Sequence, residues 1–251
     1  MKQNVKRLPY GINDFEAVIE QNQYYVDKTM YLPLLENQPS NIIFIRPRRF
    51  GKSIFLSMLH AYYDCSKKEK FQTLFGDLWV GKHPTPLQGR YQVLHLDFSY
   101  VGGSIDKLEE NFDIYMRVKL DGFMRVYQEF YPADIKEKFF KSDSAAEKLA
   151  LLQDETATKS IPLYLIIDEY DNFTNTVLNE QGENVYWAIT HADGFYRDVF
   201  IEGYGVLPVH RLEVRILPVE RLPGLLAHDV VNVSLVSPLL LKAAAMALSM
   251  S

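Results

Sequence analysis

The stretch that most constrains this chain is Asn41–Ser53, where the short apolar run Ile42–Ile45 passes into a basic loop, Arg46-Pro47-Arg48-Arg49-Phe50, and ends in Gly51-Lys52-Ser53. Apolar residues then recur at helical spacing at Ile54, Leu56, Leu59 and Tyr63. Strand, loop ending in Gly-Lys-Ser, then helix is the setting in which a phosphate-binding loop is credible. Glycine lets the backbone approach an anion, and the N–H groups at a helix start face it. Lys52 is expected to reach β/γ-phosphates and the Ser53 hydroxyl to sit on Mg²⁺. One residue departs from the G-x-x-x-x-G-K-[ST] pattern: Arg46 stands where glycine is usual, and Pro47 biases it toward extended backbone. The alternative is an ordinary turn with a buried helix behind it.

The chain carries 251 residues, 47% hydrophobic and 24% charged, enough for a sizeable core in one large domain with or without an appendage. The net charge of −5 opposes a generic nucleic-acid coat. The single cysteine, Cys65, cannot form an internal disulfide or a cysteine-rich zinc site, and at a helix end it reads as a buried or half-buried thiol. The six histidines show no ligand spacing, so the only metal expected is a nucleotide's own Mg²⁺. No apolar run of signal-peptide or membrane length is apparent, and a cytoplasmic location is expected.

Ahead of the loop, a short helix is expected to Glu20, and Asp27 is a candidate N-cap before Met30, Leu34 and Leu35. Ser66-Lys67-Lys68-Glu69-Lys70 reads as a solvated basic turn, and Pro84, Pro86 and Gly89 mark a loop. Tyr91–Phe98 alternates like a strand. Asp106 and Glu109 resemble a capping box for a long helix with Leu108, Phe112, Tyr115, Leu120, Phe123, Val126 and Phe130 on one face. A charged helix follows from Ala133 to about Leu152, broken at Ser142-Asp143-Ser144, and another helix is expected over Asn184–Phe200.

Ile161–Ile167 is nearly continuous in apolar residues, as in a parallel strand buried on both faces, and it ends in Asp168-Glu169. Buried strands seldom end in paired carboxylates without a chemical reason, because an unpaired buried charge is costly. Beside a phosphate loop, Asp168 suits the Mg²⁺ ligand and Glu169 the catalytic group that polarises an attacking water. The bland alternative is an acidic turn at a strand end.

Taken together, Leu8-Pro9-Tyr10-Gly11, Tyr25-Val26-Asp27-Lys28-Thr29, Arg46–Ser53, Leu96-Asp97-Phe98-Ser99 and Ile166–Asp171 resemble the bacterial AAA-ATPase-like family over about residues 5 to 200. The resemblance implies an α/β P-loop NTPase. Its mostly parallel sheet would be flanked by helices, with a long helical insert between the Walker A and Walker B strands. It implies ATP and Mg²⁺ as ligands. Arg48, Arg49, Phe50, Gly51, Lys52, Ser53 and Ile54 would contact nucleotide, with Ser53 and Asp168 on the metal and Glu169 catalytic. Arg48 and Arg49 would bind phosphate in cis or face a neighbouring subunit. Longer relatives continue into a nuclease-like domain that nothing here resembles.

The expected activity is ATP binding with slow Mg-dependent hydrolysis, acting as a nucleotide switch for a protein partner or a second copy. The competing readings are a nucleic-acid-associated module using the Arg-rich loop with Lys67, Lys68 and Lys70, and an inactive remnant. From about residue 200 the resemblance lapses. Tyr204 is the last aromatic residue, Leu207–Leu212 recurs imperfectly as Leu217–Leu222, and Pro218 and Pro223 suit no central strand. Residues 201–251 are therefore expected to be an atypical tail, the product of truncation or a shifted reading frame, beside a domain spanning 1–200.

Overall fold

The computed structural model describes residues 6–37, 41–43, 50–102, 107–158, 162–169 and 211–213. They form an α/β arrangement around a parallel sheet of β1 (Asn41–Ile43), β2 (Gln92–Asp97), β3 (Leu163–Asp168) and β4 (Arg211–Glu213), in the order β1-β4-β3-β2. Every described pairing is parallel, so each connection must cross over, and helices lie in the connections from β1 to β2 and from β2 to β3.

All six residues of β3 are buried, as its unbroken apolar run requires. Alternation sends Leu163, Leu165 and Ile167 to one face and Tyr164 and Ile166 to the other. The second face packs on α3 (Lys52–Tyr63), whose Phe55, Leu56, Met58, Leu59, Tyr62 and Tyr63 are buried. Tyr63 stacks on Tyr164 with ring centroids 4.9 Å apart. Outside α3 lie α1 (Phe15–Glu20), α2 (Leu32–Glu36), α4 (Phe71–Phe75) and α5 (Trp79–Lys82). Asp14 caps α1 by accepting from Ala17 N at 2.7 Å.

The first face packs on α6 (Leu108–Tyr127), with α7 (Ala133–Lys141) and α8 (Ala145–Thr158) behind it. The break expected at Ser142–Ser144 separates α7 from α8. Asp113 of α6 accepts from Ala145 N at 3.0 Å, and buried Lys148 pairs with Asp121 at 2.5 Å. Two tyrosines of α6 finish the outer edge of β2. Val93 N donates to Tyr127 Oη at 2.9 Å and Asp97 N to Tyr115 Oη at 2.7 Å. The hydroxyls satisfy backbone donors that no strand among the described residues meets there.

Several expectations shift by a residue or a face. Val126 is 58% exposed, and the inward stripe of α6 is instead Leu108, Phe112, Met116, Leu120, Phe123, Met124 and Tyr127. The α-helix stops at Tyr127, with a 3₁₀ turn over Gln128–Phe130 that leaves Phe130 partly exposed. Its N-cap is Lys107, which makes no capping side-chain bond, and Asp106 lies outside the described residues. Asp27 leads into a 3₁₀ turn, Thr29–Tyr31, rather than straight into a helix, so Leu32 and Leu35 point inward while Met30 and Leu34 are exposed. Lys67 and Lys70 are not merely solvated: both pair with Glu16, and Lys70 also reaches Glu20.

β4 comes from the segment expected to be atypical and lies between β1 and β3. Pro218 and Pro223 fall outside its three residues, so Arg211, Leu212 and Glu213 keep the backbone N–H groups a central strand needs. The helix expected over Asn184–Phe200 lies outside the described residues. Among the described residues no helix is long and apolar enough to cross a membrane.

Candidate functional site

The carboxyl ends of parallel strands, facing the start of the following helix, are where open α/β sheets place their ligands. Here β3 delivers Asp168 to that edge, directly opposite Asp97 of β2 in the strand register. α3 starts at the same edge. Its N-cap is Gly51, with φ +73° and ψ +33° and no side-chain capping bond. A side chain at a left-handed position is strained, which accounts for glycine where the chain turns into the helix. Glycine itself offers the first N–H groups of α3 no side-chain cap, and the positive end of the helix dipole lies at the same edge as the strand-end acids.

Lys52, the first residue of α3, is 7% exposed, and its ammonium is held by two carboxylates. Nζ lies 2.7 Å from Asp168 Oδ1 and 3.1 Å from Glu169 Oε1. Asp168 is 2% exposed, and its Oδ1 also accepts from the Glu169 backbone N–H at 2.9 Å. Glu169 has φ +54°, a left-handed conformation that is unusual for a residue other than glycine. That turn aims its carboxylate back toward Lys52, leaving it 31% exposed. Loop lysine and strand-end acids, far apart in sequence, form one charged cluster.

Ser53 and Ile54 follow on α3, both half-buried, and Phe50 is 59% exposed just ahead of Gly51. Arg48 and Arg49 lie outside the described residues. Among the described residues no group of three or more His, Cys, Asp or Glu is arranged to hold a metal ion. Mg²⁺ bound with a nucleotide uses one or two protein oxygens and takes the rest from phosphate and water. Ser53 and Asp168, a hydroxyl and a carboxylate, are a donor set of that kind.

Sequence reasoning passed over two neighbours of the site. His95 lies on β2 with alternation directing it to the same sheet face as Asp168, its ring centroid 5.8 Å from that of His60. Its Nε2 is buried without a hydrogen-bond partner. Burial first, and the nearby His60 second, push it down to about 4. The other is Lys28, whose Nζ would lie 3.7 Å from a Cβ built on Gly51. Spacing along the chain held no signal for it beyond the Asp27-Lys28-Thr29 string.

No solved structure matches this chain. Among curated proteins, it is 47% identical over 55 residues to an "Uncharacterized protein in vnfD 5'region" of Azotobacter chroococcum mcd 1. The match takes in 22% of this chain and 11% of that protein's length. The family model AAA-ATPase_like, described as "Predicted AAA-ATPase", matches residues 9–206, well over half of the chain. The chain belongs to the predicted AAA-ATPase family.

Proposed function

We propose that this chain binds ATP with Mg²⁺ at the Gly51-Lys52-Ser53 turn and hydrolyses it slowly, its nucleotide state acting as a switch for a protein partner or a second copy. The observation that carries this reading is the 2.7 Å pairing of Lys52 Nζ with Asp168 Oδ1. It brings the lysine of the Gly-Lys-Ser turn and the strand-end acid together at the carboxyl edge of a parallel sheet, the two groups that P-loop phosphoryl-transfer sites set on phosphate and on metal.

Lys52 would leave the two acids for the β/γ-phosphates, and Gly51 with the first N–H groups of α3 would cradle them. Ser53 and Asp168 would hold the metal. Mg²⁺ held there would supply neutralisation of charge on the phosphate oxygens. Glu169, freed from Lys52 on its more exposed side, would orient and deprotonate the attacking water. Phe50 and Ile54 would flank the turn, and Arg48 and Arg49 would add phosphate contacts or face a neighbouring subunit. Against the nucleic-acid reading, Lys67 and Lys70 are tied to Glu16 and Glu20.

ATP at a hundred times its Kd should raise the unfolding free energy by about 2.7 kcal/mol. Lys52→Ala should remove most of that increment. Equal ATP-induced stabilisation in the two proteins would sink the assignment.

A further inference from the structure

Among the described residues, two side chains lie close beside Gly51. A Cβ built there would lie 3.4 Å from Ile54 Cγ2 and 3.7 Å from the Lys28 ammonium. Lys28 reaches this turn from a segment ahead of β1, and the residues on either side of it fix its backbone. Asp27 Oδ1 accepts from Thr29 N at 2.8 Å and from Thr29 Oγ1 at 2.7 Å. Asp27 Oδ2 accepts from Trp79 N at 2.7 Å, and the fully buried Thr29 accepts from Val80 N at 3.1 Å through Oγ1. Two hydrogen bonds close the 27–29 turn on itself and two more clamp it onto α5, with Lys28 between the two clamping side chains and half-buried.

Charge gives the clamp a purpose. Lys52 brings one positive charge to a cluster with the two carboxylates of Asp168 and Glu169, and a metal–triphosphate is itself anionic. The Lys28 ammonium places a further cation beside the glycine of the turn. It lies where the backbone must come closest to the phosphates.

We propose that Lys28 is a second phosphate-binding cation of this site, contacting the polyphosphate chain of a nucleoside triphosphate alongside Lys52. The proposal rests on the ATP reading above and extends it to a residue outside the loop.

The test is calorimetric titration of the full chain with MgATP at two salt concentrations, using wild type, Lys28→Met and Lys28→Arg. Methionine keeps the aliphatic stem and removes only the charge. Lys28→Met should bind MgATP about tenfold more weakly, the size of one charge-assisted contact. Lys28→Arg should keep most of the affinity, and the salt dependence of Lys28→Met should be shallower than that of wild type. Lys28→Met binding within about twofold of wild type would overturn the proposal. So would weakened binding with an unchanged salt dependence, because the loss would then come from a displaced Gly51 and not from a missing charge. Wild-type protein that binds no MgATP would overturn the ATP reading itself, an outcome visible before any variant is titrated.

Discussion

Lys52 Nζ lies 2.7 Å from Asp168 Oδ1, and both side chains are almost wholly buried, 7% and 4% exposed. The pair ties the first residue of α3 to the last residue of β3. Removing Lys52 leaves Asp168 charged and buried, at a cost of about 3–5 kcal/mol. Lys52→Ala should therefore lower the unfolding free energy by about 3 kcal/mol in urea titrations without nucleotide, and Asp168→Asn by less, because Glu169 Oε1 still holds Lys52 Nζ at 3.1 Å. The double variant should lose clearly less than the sum of the two. Strict additivity would show that the pair contributes nothing as a pair.

Glu169 combines an unusual backbone with a shared partner: φ +54°, and a carboxylate oxygen 3.1 Å from Lys52 Nζ. A left-handed non-glycine residue costs about 1–2 kcal/mol, and such strain is retained mostly where function needs it. Glu169→Gln keeps the shape and the Lys52 contact but cannot take a proton. MgATP binding should persist, while steady-state hydrolysis falls by about 10²-fold or more. Hydrolysis at the wild-type rate would remove Glu169 from the catalytic role.

Much of the framework was legible in the chain because burial leaves a pattern. The apolar run ending at Asp168 could be little other than a buried parallel strand, and Ser142–Ser144 could only interrupt a helix. Phase was harder to read. Val126 and Tyr127 are both large and apolar enough for a core. Tyr127 takes the inward place because its hydroxyl has the Val93 N–H to satisfy, a partner from another element. The same limit applies at the site. Residue types announced Lys52, Asp168 and Glu169, but no spacing along the chain reports that Lys28 stands beside Gly51. Nor does it report that Glu16 pairs with both Lys67 and Lys70. Such contacts are made by packing α1, α3 and the strands together, which only the fold specifies.

His95 gives the domain a pH dependence that can be worked out in sign. Its folded value of about 4 lies below the ordinary 6.5, set by burial and then by His60 and Lys119, with Asp168 and Asp97 pulling the other way. The neutral ring is the form the fold accepts. Its contribution is fully present above pH 6.5 and is lost as pH falls from about 6.5 toward 4, by up to roughly 3 kcal/mol. Carboxylates titrate in part of the same window, so the informative comparison is with His95→Leu. That variant removes a buried nitrogen with no partner and should have a visibly shallower stability curve between pH 4.5 and 6.5, values set by the titration range of histidine. Parallel curves for the two proteins would show that His95 does not carry the effect.

The proposal that residues 201–251 are not the native continuation of the domain can be tested at β4. A parallel sheet with an inner strand missing leaves β1 and β3 with unpaired N–H and C=O groups, so something must occupy that gap for the domain to be stable. Arg211–Glu213 occupies it, in register with Asn41–Ile43 on one side and Leu165–Ile167 on the other. Three residues are a short strand for such a place. If the tail is foreign to the fold, the Leu212 amide should exchange with solvent orders of magnitude faster than Ile166, in the central part of β3. Replacing Leu212 by aspartate should then leave the melting temperature of the whole chain unchanged. Slow exchange at Leu212 matching Ile166, together with a loss of several degrees on Leu212→Asp, would establish the segment as a true inner strand and overturn the proposal.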